Sequence, residues 1–148
     1  MKPLGFAGAL GRNQAPVSYN TNGVLQWTIQ DGTAGGTVMI GDTLIGVRIA
    51  ADKAGNCVVT GSTTVAIDGQ AQHGATDLFL AKYNATGTRL WTVQDGAAAG
   101  VTHGAGIALD SSNSIFVTGR TSAPIDGQSQ HGANDLFITK YTGGGVRF

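Results

Sequence analysis

The chain is a succession of short apolar runs, rich in Val, Ile and Thr, punctuated by turns. "IGVRIAAD" (45–52), "CVVTGST" (57–63), "DLFLAKYN" (77–84) and "TRLWTVQD" (88–95) each have the length and composition of a β-strand. The first pair is joined by "KAGN", in which Gly55 supplies a left-handed residue, and the last pair by "ATG". Between the second and third runs lies the long loop "TVAIDGQAQHGAT" (64–76). A sheet with one wet face alternates cleanly between apolar and polar positions. "CVVTG" and "DLFLA" do not, which predicts a sheet covered on both faces.

The pattern repeats. Residues 50–83 align with 108–141 at a shift of 58, and 19 of the 34 pairs are identical. "YNTNGVLQWTIQDG" (19–32) aligns with "YNATGTRLWTVQDG" (83–96) at a shift of 64. The two shifts differ by six residues, which assigns the extra length to the loop after Gly32, where "GTAGGTVMIGDTLIG" exceeds "AAAGVTHGAG". Periods of this size mark solenoids, propellers or arrays. Four antiparallel strands in about 50 residues, flanked by copies of themselves, describe a β-propeller blade.

Composition narrows the class. Twenty-four glycines suit many tight turns, and all nine acidic residues are Asp, which favours turns where Glu favours helices. The fold class is therefore all-β. Net charge is zero with 12% charged residues, which argues against a nucleic-acid partner, since phosphate neutralisation needs excess Lys and Arg. No run approaches the ~18 apolar residues of a membrane span. The start "MKPLGFAGALG" has a lysine and a short apolar patch but is too short and glycine-broken to make a convincing secretory signal, and export stays open at this point. The single cysteine, Cys57, lies in an apolar run and reads as an inert buried thiol.

"GIALDSSNSIFVTGRTSAPIDGQSQHGANDLFITKY" resembles the bacterial β-propeller repeat called SBBP. Units of that family read G-I-A-x-D-x-x-G-N-x-Y-V-T-G-x-T, a D-G-Q-like loop, then D-x-F-L-x-K-Y-x-x-x-G-x-x-x-W. Gly106–Asp110, Val117–Thr121 and Asp135–Tyr141 carry the match in one unit. Ala50, Asp52, Gly55–Asn56, Val59–Thr63 and Asp77–Trp91 carry it in the other. The likeness spans residues 19–148, and two departures stand out. Residues 1–18 fit poorly, and "SSNS" replaces the usual Gly-Asn turn. The resemblance implies an extracellular or cell-surface bacterial setting and brings no shared catalytic residues.

The expected organisation is a single partial propeller over 1–148. It comprises a divergent segment 1–18, the end of a first blade with its long loop (19–44), a full blade (45–96) and an incomplete blade (104–148). "GFAGAL" is a candidate degraded strand. About two and a half blades cannot close alone, because an open propeller leaves unpaired edges and a bare apolar face. Two readings stand: copies associate head to tail into a homo-oligomeric ring, or the chain is part of a longer propeller. The short chain with its own Met1 favours the ring, of roughly five blades from two copies or seven from three.

Propeller topology sorts the charges. Asp31, Asp42, Asp68, Asp77, Asp95, Asp126 and Asp135 fall in or beside the long loops, with His73, His103 and His131. Asp52, Asp110, Lys53, Lys82, Arg89, Lys140 and Arg147 fall to the opposite face. The expectation is a disc with one acidic, His-bearing face. Its candidate ligand-binding residues are Asp68, Gln70, Gln72, His73, Asp126, Gln128, Gln130, His131 and His103. Asp68, Asp77, Asp126 and Asp135 offer the hard oxygens calcium requires, without an EF-hand spacing. The other reading has Asp68 and Asp126 opening Asx turns while Asp77 and Asp135 satisfy loop N–H groups. Trp27 and Trp91 either stack on a sugar or cover the blade's outer edge. Tyr19, Tyr83, Tyr141, Phe79 and Phe137 read as packing between blades, with the Lys82 and Lys140 stems along those rings. The function so read is a non-catalytic binding or scaffolding module for a protein or glycan. A purely structural fragment is one alternative, and an enzyme with a metal on the axis held by His73 and His131 is the other. No nucleophile elbow, paired Glu or phosphate loop supports catalysis.

Overall fold

A computed structural model describes residues 17–39 and 48–148. The described residues form ten strands and no helix: β1 (Val17–Tyr19), β2 (Leu25–Thr28), β3 (Val38–Met39), β4 (Ile49–Ala51), β5 (Cys57–Thr63), β6 (Asp77–Tyr83), β7 (Arg89–Asp95), β8 (Thr102–Leu109), β9 (Ile115–Thr121) and β10 (Asp135–Tyr141). They make three antiparallel sheets: β1–β2, then β5–β6–β7 with β3 and β4 both on the free edge of β5, then β8–β9–β10. The all-β expectation holds. "GFAGAL", Asp42 and residues 45–47 of the first strand-like run lie outside the described residues.

Strand register narrows the place of the six extra residues. Val38 and Met39 pair with Thr63 and Ser62, just as Thr102 and His103 pair with the equivalent Thr121 and Arg120. Ile49 pairs with Val59, and Ile107 with Val117. Val38 and Met39 therefore keep the shift of 64, while Ile49 already follows the shift of 58. The extra length therefore enters between Met39 of β3 and Ile49 of β4, within the later part of the stretch after Gly32. The same point of the third sheet carries a register break between Gly104 and Gly106. Side-chain identity is lost across this stretch, so only hydrogen-bond register could place the insertion.

The sheets pack face to face, and the middle one is covered on both sides. Val58, Leu78 and Leu80 meet Ile107, Ile115, Val117, Phe137 and Tyr141 of the third sheet. On the other face Cys57, Val59, Phe79, Ala81 and Tyr83 pack with Trp27 and Ile29 of the first sheet's chain segment. This is the physical content of the missing alternation in "CVVTG" and "DLFLA": both sets of side chains leave water. The sheets approach closely where side chains are small, and a Cβ on Gly104 would stand 2.5 Å from Thr60 Oγ1.

One hairpin turn is used five times. At Asn20, Asp52, Asn84, Asp110 and Thr142 the side-chain oxygen accepts from the N–H groups two and four residues on. Each turn is closed by an N–H three residues on, from Gly23, Gly55, Gly87, Asn113 or Gly145. That residue takes positive φ in every copy, 83° at Gly55 and 62° at Asn113. Asn113 thus does in "SSNS" what glycine does elsewhere, because a short amide side chain tolerates the left-handed region. The Asp110 carboxyl is held below the usual carboxylate range, chiefly by the Ser114 N–H.

Candidate functional site

The two "DGQxQHG" loops are built alike. Gln70 N–H donates to Ile67 O, and Gln128 N–H to Ile125 O. The central residues Asp68 and Gly69 have φ of 51° and 73°, and Asp126 and Gly127 have 56° and 72°. Two successive positive φ values make a turn of the I′ kind, for which Asp-Gly is a favoured pair. The backbone closes the turn, so the Asp68 and Asp126 side chains are released for other partners. This corrects the expectation of Asx turns at these positions.

The loop is then pinned from below. Asp77, at the start of β6, is fully buried, and its carboxylate accepts from His73 N and Gly74 N at 2.8 Å each. Gln94 of β7 completes the arrangement: its Nε2 donates to Asp77 at 2.8 Å while its Oε1 accepts from Ile67 N at 2.9 Å. Asp135 repeats the cap on His131 N and Gly132 N at 2.6 and 2.9 Å. The reading of Asp77 and Asp135 as caps of loop N–H groups matches this geometry. Gln72 Nε2 donates to Thr64 O and Gly74 O, and Gln130 Nε2 to Gly132 O, so these amides brace their own loops. Ala75 N–H donates to Gly100 O and Val101 N–H to Ser122 Oγ. The connection at residues 96–101 is thereby held between the two loop regions, on the side that propeller topology assigns to them.

Asp68 and Asp126 serve a polar latch between sheets, which the sequence reading did not foresee. Asp31, beyond β2, accepts from Tyr83 Oη at 2.8 Å and from Arg89 Nη1 at 2.7 Å, and Arg89 Nη2 meets Asp68 Oδ1 at 2.8 Å. Thr92 Oγ1 also donates to Asp68. The set recurs one sheet on: Tyr141 Oη donates to Asp95 at 2.9 Å, and Arg147 bridges Asp95 and Asp126, the latter at 2.6 Å. Arg89 and Arg147, sorted by topology to the face opposite the loops, thus pair with loop aspartates. The sharply opposed faces of the expected disc are corrected accordingly. The cause is that the loop lies back along the outermost strand, as the Ile67–Gln94 and Asp68–Thr92 bonds require. The signal available beforehand was the joint recurrence of Asp, Tyr, Arg and Asp at the two repeat shifts.

The aromatic and basic side chains also work between sheets. Trp27 Nε1 donates to Ala85 O, and the Trp27 ring lies against Gly87 as Trp91 lies against Gly145. A Cβ on Gly87 would come within 3.1 Å of the Trp27 ring, so the glycine makes room for it. Lys140 Nζ sits 5.2 and 4.8 Å from the Phe116 and Phe148 ring centres, a cation over two aromatic faces. Lys82 instead donates to Gly143 O of the neighbouring turn at 3.0 Å and lies 3.7 Å from Asp52.

The histidines separate. His73 and His131 remain on the loops, 3.7 and 3.8 Å from Asp77 and Asp135, with side chains 40% and 86% exposed. His103 is not a loop residue: it lies in β8 and meets Ser62 Oγ through Nδ1 at 2.9 Å. Gln70 and Gln128 remain at the turn, and Gln128 is exposed. Among the described residues no group of three or more His, Cys, Asp or Glu side chains is placed to hold a metal ion. The Asp68 and Asp126 carboxylates face arginines, and Asp77 and Asp135 face backbone N–H groups, so the four candidate calcium ligands are committed to separate protein partners.

Strands of one sheet, a connection clamped between loops and a neighbouring sheet docked face to face are the parts of a propeller repeat. Residues 90–126 match the family model of the SBBP β-propeller repeat. No curated protein matches the chain. The SBBP segment runs from β7 through the 96–101 connection and β8–β9 to the Asp-Gly turn of the second loop. It therefore contains Asp95, Asp126 and Gln94, the residues that tie one sheet to the next and the loop to its strand.

Burial keeps the two latch tyrosines protonated. Burial and the neighbouring Asp95 push the Tyr141 phenol well above its ordinary range, and burial and Asp31 do the same to Tyr83. Burial pushes the Cys57 thiol up to about 11. A raised acid pKa in the fold means that the unfolded chain loses its proton first as pH rises. The stability these groups support is thus complete below the ordinary thiol and phenol range and declines above it. Stability from urea unfolding should begin to fall above about pH 9, and Cys57→Ala should remove the part of the fall that ends near pH 11.

Proposed function

We propose that this chain is a non-catalytic β-propeller repeat module that binds or scaffolds a protein or glycan through its repeated loops and completes its propeller by association of copies. One observation carries the binding reading. Both "DGQxQHG" loops are held by a carboxylate cap at the equivalent position, and each leaves a histidine turned toward solvent. A loop that is rigid without its ligand loses little entropy on binding, and repetition adds avidity. Residues 68–74 and 126–132 are the contact elements, with His73, His131, Gln70 and Gln128 at the ligand.

The test is direct. Immobilised polysaccharides and bacterial surface proteins are screened for binding, and the His73→Ala/His131→Ala double variant is compared with wild type. Both imidazoles stand clear of the packed core, so the double variant should melt within about 0.5 kcal/mol of wild type. Its affinity should drop at least tenfold. Equal affinity in both proteins refutes the loop reading.

A further inference from the structure

Among the described residues the third sheet is packed on one face only. On the middle sheet Val58, Leu78 and Leu80 are 0% exposed because the third sheet covers them, whereas their repeat equivalents Phe116, Leu136 and Ile138 are 36%, 78% and 70% exposed. With Phe148, also exposed, they form one apolar flank, and a groove of about 370 Å³ runs past Phe116 and Ile138. Isolated surface leucines need no explanation, but a contiguous flank of this kind marks an interaction surface.

The chain itself shows what fits there. The covered flank of the middle sheet is occupied by the next sheet, whose contacting face carries Tyr141 and Arg147; the face of the middle sheet turned to the first carries Tyr83 and Arg89. On the first sheet the equivalent positions are Tyr19 and Leu25, paired with each other across β1 and β2 and both exposed. The described residues thus present, at opposite ends of the stack, the two halves of one sheet-to-sheet junction. One half differs in chemistry: where the internal junctions have an arginine bonded to two aspartates, the first sheet has Leu25.

We propose that the third sheet of one copy docks on the first sheet of a second copy, head to tail, through an apolar junction that lacks the Asp–Tyr–Arg–Asp latch. This rests on the reading of the chain as blades that complete a propeller by association. Phe116, Leu136 and Ile138 of one copy cover Tyr19 and Leu25 of the next. Lys140, now over the Phe116 and Phe148 rings, takes the place Lys82 has toward Gly143 and donates to the equivalent carbonyl, that of Thr21. The unlatched junction is where copies separate and join, while the two latched junctions keep each chain intact.

Complementation tests this. Light scattering of the wild-type chain should give two or three times the single-chain mass, unchanged in 1 M salt because the described residues bring no ion pair to the junction. Leu136→Asp/Ile138→Asp breaks one half and Leu25→Asp the other. All three side chains are exposed, so both variants should melt as the wild-type monomer does. Each variant alone should be a single chain, and an equimolar mixture should form a complex of two chains and no larger. A wild-type chain of single mass overturns the proposal. So does assembly that survives Leu25→Asp, which would mean flank-to-flank pairing, and so does dissociation by salt. Polysaccharide and protein binding by the single-chain variants is measured separately, so a failure of the junction and a failure of the loop reading give different results.

Discussion

Asp77→Ala should cost the fold about 3–5 kcal/mol, whereas Asp135→Ala, the same change one repeat later, should cost about 1–2 kcal/mol. Asp77 is fully buried and accepts from two backbone N–H groups and the Gln94 amide. Truncation leaves the buried Gln94 amide with neither partner nor water and frees two part-buried N–H groups, and an unpaired buried donor costs its whole desolvation penalty. Gln94 also holds Ile67 N, so the loss spreads to the Asp-Gly turn. Asp135 accepts from two N–H groups, and its side chain is 24% exposed, so water can replace it. Urea unfolding of the two variants, followed by tryptophan fluorescence, checks the difference. Equal losses would show that the cap contributes the same whether or not it is sealed from solvent. Against a total stability of roughly 5–15 kcal/mol for a domain, the Asp77 variant should be at or past the edge of folding at 37 °C.

Leu80→Ala should cost about 3 kcal/mol, and Ile138→Ala, at the repeat-equivalent position, less than about 0.5 kcal/mol when measured on the single chain at low protein concentration. Leu80 is sealed between two sheets, so its removal loses the transfer free energy of the side chain and leaves a cavity that rigid strands cannot close. Ile138 is 70% exposed and loses almost nothing in the single chain. Chemical denaturation at low and high protein concentration separates the contributions. A large loss for Ile138→Ala in the single chain would mean that its flank is already covered.

The candidate site was legible unevenly. The loops stood out because sixteen residues recur almost letter for letter, and the role of Asp77 and Asp135 as caps followed from a carboxylate at a strand start after a glycine-rich loop. The latch did not. Arg89 lies six positions after Tyr83 and far from Asp31 and Asp68 in the chain, and strand-end bookkeeping placed it on the wrong face. A long side chain and a loop folded back along a strand edge both act across distances that spacing does not encode. His103 was grouped with loop residues for the same reason: the start of β8 lies further toward Gly100 than its apolar pattern suggests, because glycines and a histidine can pair in a ladder as well as valines can.

What the sequence determined by itself is the local chemistry and its repetition. Positive-φ residues at the turns, β-branched runs between them and apolar residues on both faces demand strands, and demand that a sheet be covered on each side. The 58- and 64-residue shifts make the covering element another copy of the same sheet. What only the tertiary structure decided is which flank stays open, which carboxylates are sealed, and where the six inserted residues enter. Those are settled by hydrogen-bond register and by contacts between residues some 50 positions apart. Burial belongs to the pair of surfaces that meet: Leu80 and Ile138 are nearly the same side chain in nearly the same local sequence, and only the presence of a neighbouring sheet takes one of them out of water.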